Sequence, residues 1–206
     1  MESALRSGAG QPGLKLIETL RVGAPPSRLA LHRARMARGA AALGWDFDAL
    51  GFDRAVEADP VAGLRLRLTL DRAGRFEVVQ APLPESPAEW RLALAGARLL
   101  STDPWLGLKS TNRAAYDAAR AHLPLGVEEV IFANERGEVC DGSITTLFFD
   151  RGQGMRTPPL SSGLLPGVLR AEMGCPEEVL MAADLPHVRL WVGNALRGLM
   201  GAVWVG

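Results

Sequence analysis

Apolar and polar residues alternate in several short stretches of this chain and recur at helical spacing in others. Leu14-Lys15-Leu16-Ile17-Glu18-Thr19-Leu20 predicts an opening strand whose alternation sets Lys15 on a solvent face. Pro25-Pro26 breaks the chain. A helix is then predicted from Ser27, as its N-cap, to Leu43-Gly44. Leu64 to Leu70 and Phe76 to about Gln80 predict two strands joined by the turn Asp71-Arg72-Ala73-Gly74. In the first of these, Leu64, Leu66, Leu68 and Leu70 occupy one face and Arg65, Arg67 and Thr69 the other. A third strand near Arg91 to Ala97 would complete a meander, and Ser101-Thr102-Asp103-Pro104 marks a boundary.

Beyond that boundary, Leu106-Gly107-Leu108-Lys109 leads to a predicted helix from Thr111 to about His122, with Pro124 past its end. Glu129 to Ala133 and Thr145 to Phe149 read as strands, with a turn at Glu135-Arg136-Gly137 and a short extended piece at Val139-Cys140 between them. Ser161 to Gly167 is a Gly- and Pro-rich loop that opens a helix, Val168 to Met173. Arg189 to Val192 and Ala202 to Val205 are short strands around a turn at Asn194 to Gly198. The predicted class is α+β, with a small N-terminal domain over residues 1–100 and a larger one over residues 104–206.

Composition narrows the chemistry. The 206 residues are 48% hydrophobic and 22% charged, as in an ordinary globular protein. Lys plus Arg and Asp plus Glu each number 23, so no basic surplus points to nucleic acid. Cys140 and Cys175 are too few for a disulfide scaffold and lack zinc-site spacing, so no metal is expected. No apolar signal sequence opens the chain, and no run approaches the roughly 18 apolar residues of a membrane span. A cytoplasmic address without membrane contact is the expectation.

Only two of the 23 basic residues, Lys15 and Lys109, are lysine. Arginine stays protonated, whereas a lysine amine can lose its proton and act as a nucleophile, which singles out Lys109 for work that arginine cannot do. P-loop, G-x-G-x-x-G, H-E-x-x-H and G-x-S-x-G motifs are absent, and His32, His122 and His187 lie far apart along the chain. What remains is an ordered constellation in the second half. Lys109 comes first, then Asp141 at the end of a tight strand, then Leu164-Leu165-Pro166-Gly167-Val168-Leu169-Arg170 as a Pro- and Gly-led helix start whose N–H groups suit a phosphate. An amine, a carboxylate and a phosphate cradle are what a pyridoxal phosphate site requires.

Three segments carry a resemblance to a known family: Leu108 to Arg113, Gly137 to Phe148, and Leu164 to Arg170. Ile17 to Arg21, His32 to Met36 and Gly193 to Leu196 add weaker matches. In these the chain resembles the fold-type IV pyridoxal phosphate enzymes, which include branched-chain aminotransferases and 4-amino-4-deoxychorismate lyases. The resemblance implies two small α/β domains with the active site in the cleft between them, and a homodimer. It also implies roles. Lys109 would bind the cofactor covalently, and Asp141 would face the ring nitrogen. Leu165 would pack on the ring. Arg35, the Gly167-Val168-Leu169 helix start and the Asn194-Ala195 turn would hold the phosphate. Strands of this domain contribute substrate-binding side chains in the family, so one of Arg65 and Arg67, with Arg67 nearer the hairpin tip, would bind a substrate carboxylate. The alternative is that both are solvated on the outer face of the sheet. Asp141 stands where the family usually has Glu, and Leu169 where a threonine is common. The chain is also several tens of residues shorter than typical members.

Three functions follow from the resemblance. The first is a lyase that converts 4-amino-4-deoxychorismate to 4-aminobenzoate and pyruvate, on the way to folate. The second is an aminotransferase that pairs a branched-chain or other amino acid with 2-oxoglutarate. The third is a family member that binds cofactor or a partner without turnover. The short chain and the segment Lys109-Ser110-Thr111-Asn112-Arg113 lean the reading toward the lyase.

Overall fold

The structure is a computed structural model that describes residues 2–58, 61 and 63–206. The chain divides into two units. One runs through Glu85 and takes back Leu108–Asn112; the other comprises Ser86–Gly107 and Arg113–Gly206. The expected division near residue 100 is therefore corrected at two places: residues 86–100 belong with the second unit, and the lysine segment belongs with the first.

The first unit contains α1 (Glu2–Gly8), β1 (Lys15–Arg21), α2 (Pro26–Leu43), α3 (Ala49–Glu57), β2 (Arg65–Asp71) and β3 (Phe76–Ala81). Its three strands form an antiparallel sheet in the order β1-β2-β3. The leucine alternation of β2 has the predicted consequence: Leu66, Leu68 and Leu70 are fully buried. The buried face of α2 is His32, Arg35, Met36, Gly39, Ala40 and Leu43, spaced as one helical stripe. Its first turn differs from the expectation, because Pro25 is the N-cap and Pro26 takes the first helical position, where a missing N–H costs nothing. Gly44 ends the helix in the left-handed region, with φ of 69°. Two helices were not expected from the sequence. α3 buries only Phe52 and Val56 and is recruited by an aromatic cluster of Phe47, Phe52 and Phe76, with ring centroids 6.1–6.4 Å apart.

In the second unit are β4 (Glu89–Leu99), α4 (Ala114–Ala121), β5 (Glu129–Asn134), β6 (Val139–Gly142), β7 (Thr146–Asp150), α5 (Val168–Met173), β8 (Arg189–Asn194) and β9 (Gly198–Trp204). They make a six-stranded sheet in the order β6-β5-β4-β9-β8-β7. β4 runs parallel to both β5 and β9, so it does not complete the meander of the first unit. Its apolar residues explain why. Trp90, Leu92, Ala93, Ala95 and Leu99 are buried, as a central strand covered on both faces requires. The two end strands, β6 and β7, are consecutive in the chain and joined by a turn in which the Gly142 N–H donates to the Thr145 carbonyl at 2.8 Å. That connection curls the sheet into a barrel-like form. Its core gathers Trp90, Ile131, Leu147, Phe149, Leu180 and Val192, with a second cluster around Phe132 and Leu164.

Among the described residues no helix is long and apolar enough to cross a membrane.

Candidate active site

In the first unit, Lys109 lies on a short extended segment that pairs with the free edge of β1. The Ile17 N–H donates to the Lys109 carbonyl at 2.8 Å and the Thr111 N–H to the Lys15 carbonyl at 2.9 Å, with an antiparallel bridge between Leu16 and Ser110. This pairing takes Thr111 out of the expected helix, which begins at Ala114. Lys109 is half-buried, as is Lys15, which forms an ion pair with Glu77.

Glu18 follows Ile17 on β1 and shares the inward face with Leu16 and Leu20. It is fully buried. Arg35 of α2 grips it with two bonds, Nε to Oε1 at 2.8 Å and Nη2 to Oε2 at 2.6 Å. His32, one turn earlier, brings Nδ1 to 2.6 Å from Oε2. A carboxylate only accepts, so Nδ1 carries the hydrogen, and the buried Nε2 has no hydrogen-bond partner. Burial opposes ionisation of Glu18, yet Arg35 and His32 together hold its pKa at about 2, below the ordinary 4.5. Helical spacing alone gives His32 no partner, and the sequence gives Glu18 no role. The one available signal was an acid on the inward face of an amphipathic strand. Arg67 lies mid-sheet on β2, half-buried, opposite Thr19 on one side and Val79 on the other.

In the second unit Asp141 ends β6 and is nearly buried, at 5% exposure. Its Oδ2 accepts the Leu165 N–H at 3.2 Å, and its Oδ1 accepts the Tyr116 hydroxyl at 3.2 Å. Tyr116 comes from α4 and packs at a tilt against Phe132, with centroids 4.8 Å apart. Burial and the neighbouring Asp141 push its pKa up, so it remains a donor. Nothing in the sequence pattern singled out Tyr116.

The other predicted residues of this unit meet around the start of α5. Gly167 is its N-cap, and a Cβ there would fall 2.6 Å from Thr146 Oγ1, so a larger residue would force that hydroxyl to shift. Val168 and Leu169 open the helix and are buried. Leu169 packs against Gly193 at the end of β8. The turn that follows is organised by Asn194: Oδ1 accepts the N–H groups of Leu196 at 3.1 Å and Arg197 at 3.0 Å, and Nδ2 donates to the Ile144 carbonyl at 3.1 Å. Ala195 is buried in that turn. A helix start and an Asn turn thus share one corner with Thr146, and Asp141 bonds to the segment leading into the helix.

A family model described as amino-transferase class IV matches residues 15–203. Among solved structures, the chain is similar to a proposed amino-acid aminotransferase of Mesorhizobium loti, with 39% identity, a TM-score of 0.83, and coverage of 93% of this chain and 100% of that one. It is also similar to a 4-amino-4-deoxychorismate lyase of Pseudomonas aeruginosa, with 21% identity, a TM-score of 0.77, and coverage of 92% and 82%. A proposed branched-chain amino acid aminotransferase of Thermotoga maritima matches with 23% identity, a TM-score of 0.78, and coverage of 99% and 80%. The last two likenesses show the fold. No curated protein matches the sequence.

Proposed function

The chain belongs to the class IV aminotransferase family, whose members use pyridoxal phosphate, and from that premise we propose that it is a lyase converting 4-amino-4-deoxychorismate to 4-aminobenzoate and pyruvate. The observation that carries the cofactor reading is the corner of the second unit where Asp141, hydrogen-bonded to Leu165, comes with a glycine-capped helix start and an Asn-held turn. The residues fit the group. A Cβ at Gly167 would obstruct that corner, and the donors there are N–H groups suited to an anion.

Lys109 would hold the cofactor covalently through Nζ. Arg35 and the N–H groups of Val168, Leu169 and the Asn194-Ala195 turn would bind its phosphate. Leu165 would cover the ring, and the Asp141 carboxylate would keep the ring nitrogen protonated. When bound, pyridoxal phosphate supplies an electron sink for charge developing at the substrate α-carbon. Lys109 Nζ, displaced from the cofactor by the substrate amine and uncharged, would be the base that takes the α-proton. Tyr116 and the Leu165 N–H orient Asp141 meanwhile. Arg67 would clamp a substrate carboxylate. The two products contain every atom of the substrate, so this reaction needs no acceptor acid.

The Lys109-Ser110-Thr111-Asn112-Arg113 segment supports the lyase. An aminotransferase is the second reading, favoured by the 39% identity to the Mesorhizobium loti protein over its full length. One experiment separates them: purified protein is incubated with aminodeoxychorismate, or with leucine and 2-oxoglutarate. Formation of 4-aminobenzoate in the first supports the lyase, and glutamate in the second the aminotransferase. Borohydride should fix pyridoxal phosphate on a single peptide containing Lys109, and Lys109→Arg should abolish that attachment. Undiminished attachment in the variant would remove Lys109 from the site. We also infer a cytoplasmic homodimer, which gel filtration with light scattering would test for assembly.

A further inference from the structure

Glu129 opens β5, a strand otherwise apolar up to its final Asn134, and is fully buried. Its hydrogen bonds come from the β6–β7 turn and from its own neighbour Val130. Oε1 accepts the Ser143 N–H at 3.0 Å, the Ser143 hydroxyl, and the Val130 N–H at 3.1 Å. Oε2 accepts the Ile144 N–H at 3.1 Å and the Thr145 hydroxyl at 2.9 Å. Arg120, one-third exposed, approaches Oε1 at 3.5 Å. The turn is built around this carboxylate, because a Cβ at Gly142 would sit 2.8 Å from Oε2 and 2.3 Å from Thr145 Oγ1.

The same turn reaches outward to both halves of the candidate site. Asp141 immediately precedes it. The Ser143 carbonyl accepts Arg113 Nη2 at 2.9 Å, and Arg113 lies over the ring of Tyr116, the donor to Asp141. The Ile144 carbonyl accepts Asn194 Nδ2, and Thr146 stands against Gly167. One carboxylate therefore holds the piece of backbone that links the ring acid to the phosphate corner. A buried charge is a weak source of stability, since its desolvation offsets most of what its partners return. What it secures is geometry.

We propose that Glu129 is a positioning residue: through the 142–145 turn it sets Asp141 and the Asn194 turn in register with the start of α5, and so governs pyridoxal phosphate affinity. This rests on the cofactor reading above. Glu129→Gln is the direct test. Donors approach both carboxylate oxygens, and an amide must turn its NH2 toward either the Ser143 or the Ile144 N–H, neither of which can rotate away.

In cofactor-free protein, amide exchange in Glu129→Gln should accelerate at Ile144, Leu165, Leu196 and Arg197. The β8–β9 ladder around Leu190 and Ala202 should stay as protected as in wild type. The dissociation constant for pyridoxal phosphate, read by tryptophan fluorescence below the melting temperature, should rise about ten- to a hundredfold, the cost of one buried donor left unpaired. Thr145→Val, which keeps shape and removes one donor, should move both readouts the same way by a smaller factor. That variant keeps the test open if Glu129→Gln does not fold. Acceleration confined to residues 142–145, or an affinity equal to wild type, would overturn the proposal. Wild-type protein that takes up no pyridoxal phosphate would overturn the cofactor reading instead, and the exchange pattern would then decide the positioning role by itself.

Discussion

Glu18 in the first unit and Glu129 in the second are both withdrawn completely from water, and the chain satisfies them by opposite means. Around Glu18 a charge answers a charge, with a bidentate guanidinium and an imidazole from one face of α2. Glu129 is met by dipoles: three main-chain N–H groups and two hydroxyls, with Arg120 contributing only from 3.5 Å. The difference lies in what each arrangement fixes. A pair of full charges joins two elements, β1 and α2, and is sensitive to the loss of either charge. A ring of N–H donors fixes the backbone that supplies them, and here that backbone is the turn after Asp141.

The contrast is broken most directly by Arg35→Met. Removing one partner of a buried ion pair should cost about 3–5 kcal/mol in urea unfolding, more than Glu129→Gln should cost. Equal losses in the two variants would mean that Glu18 is also satisfied by dipoles. Acid offers a second test. The carboxyl of Glu18 titrates at about 2 in the folded chain and ordinarily at 4.5, so its contribution is complete above pH 4.5 and disappears as pH falls toward 2. That contribution is about 3 kcal/mol from the size of the shift. Unfolding midpoints measured across this window should fall more steeply in wild type than in Glu18→Gln, and parallel curves would contradict the charge pairing.

A third test turns to the region built on dipoles. Asp141→Asn removes a charge but leaves a carbonyl for the Leu165 N–H and an amide for the Tyr116 oxygen, so the fold should hold. Bound pyridoxal phosphate should remain visible in the absorption spectrum while kcat falls about a hundredfold, the scale of losing one preorganised electrostatic group. Unchanged turnover would take Asp141 out of the reaction. The smallest expected effect is that of Arg67→Ala. Loss of a charge-assisted contact costs about 1.5–3 kcal/mol, so the substrate KM should rise roughly ten- to a hundredfold. Cofactor attachment at Lys109 should be untouched. A KM equal to wild type would return Arg67 to the sheet surface.

Much of this protein was legible from local pattern. Alternation marks β1, β2 and β3, helical spacing marks α2, and Gly-Pro punctuation marks the start of α5, because side-chain periodicity and backbone freedom act within a few residues. Composition singled out Lys109, and order along the chain assembled Asp141, Gly167 and Asn194 into a recognisable set. Other features were settled by partners distant in sequence. β4 reads as one more strand of a meander, yet it lies between β5 and β9 in a parallel arrangement that no short window encodes. Thr111 looks like the beginning of a helix until the edge of β1 claims its N–H. Glu18 and Glu129 carry no role in the sequence pattern, because sequence reports charge but not the donors that will surround it. Apart from the Val130 N–H, those donors come from residues 14–17 positions away in both cases, and only the packed chain brings them within 3.1 Å.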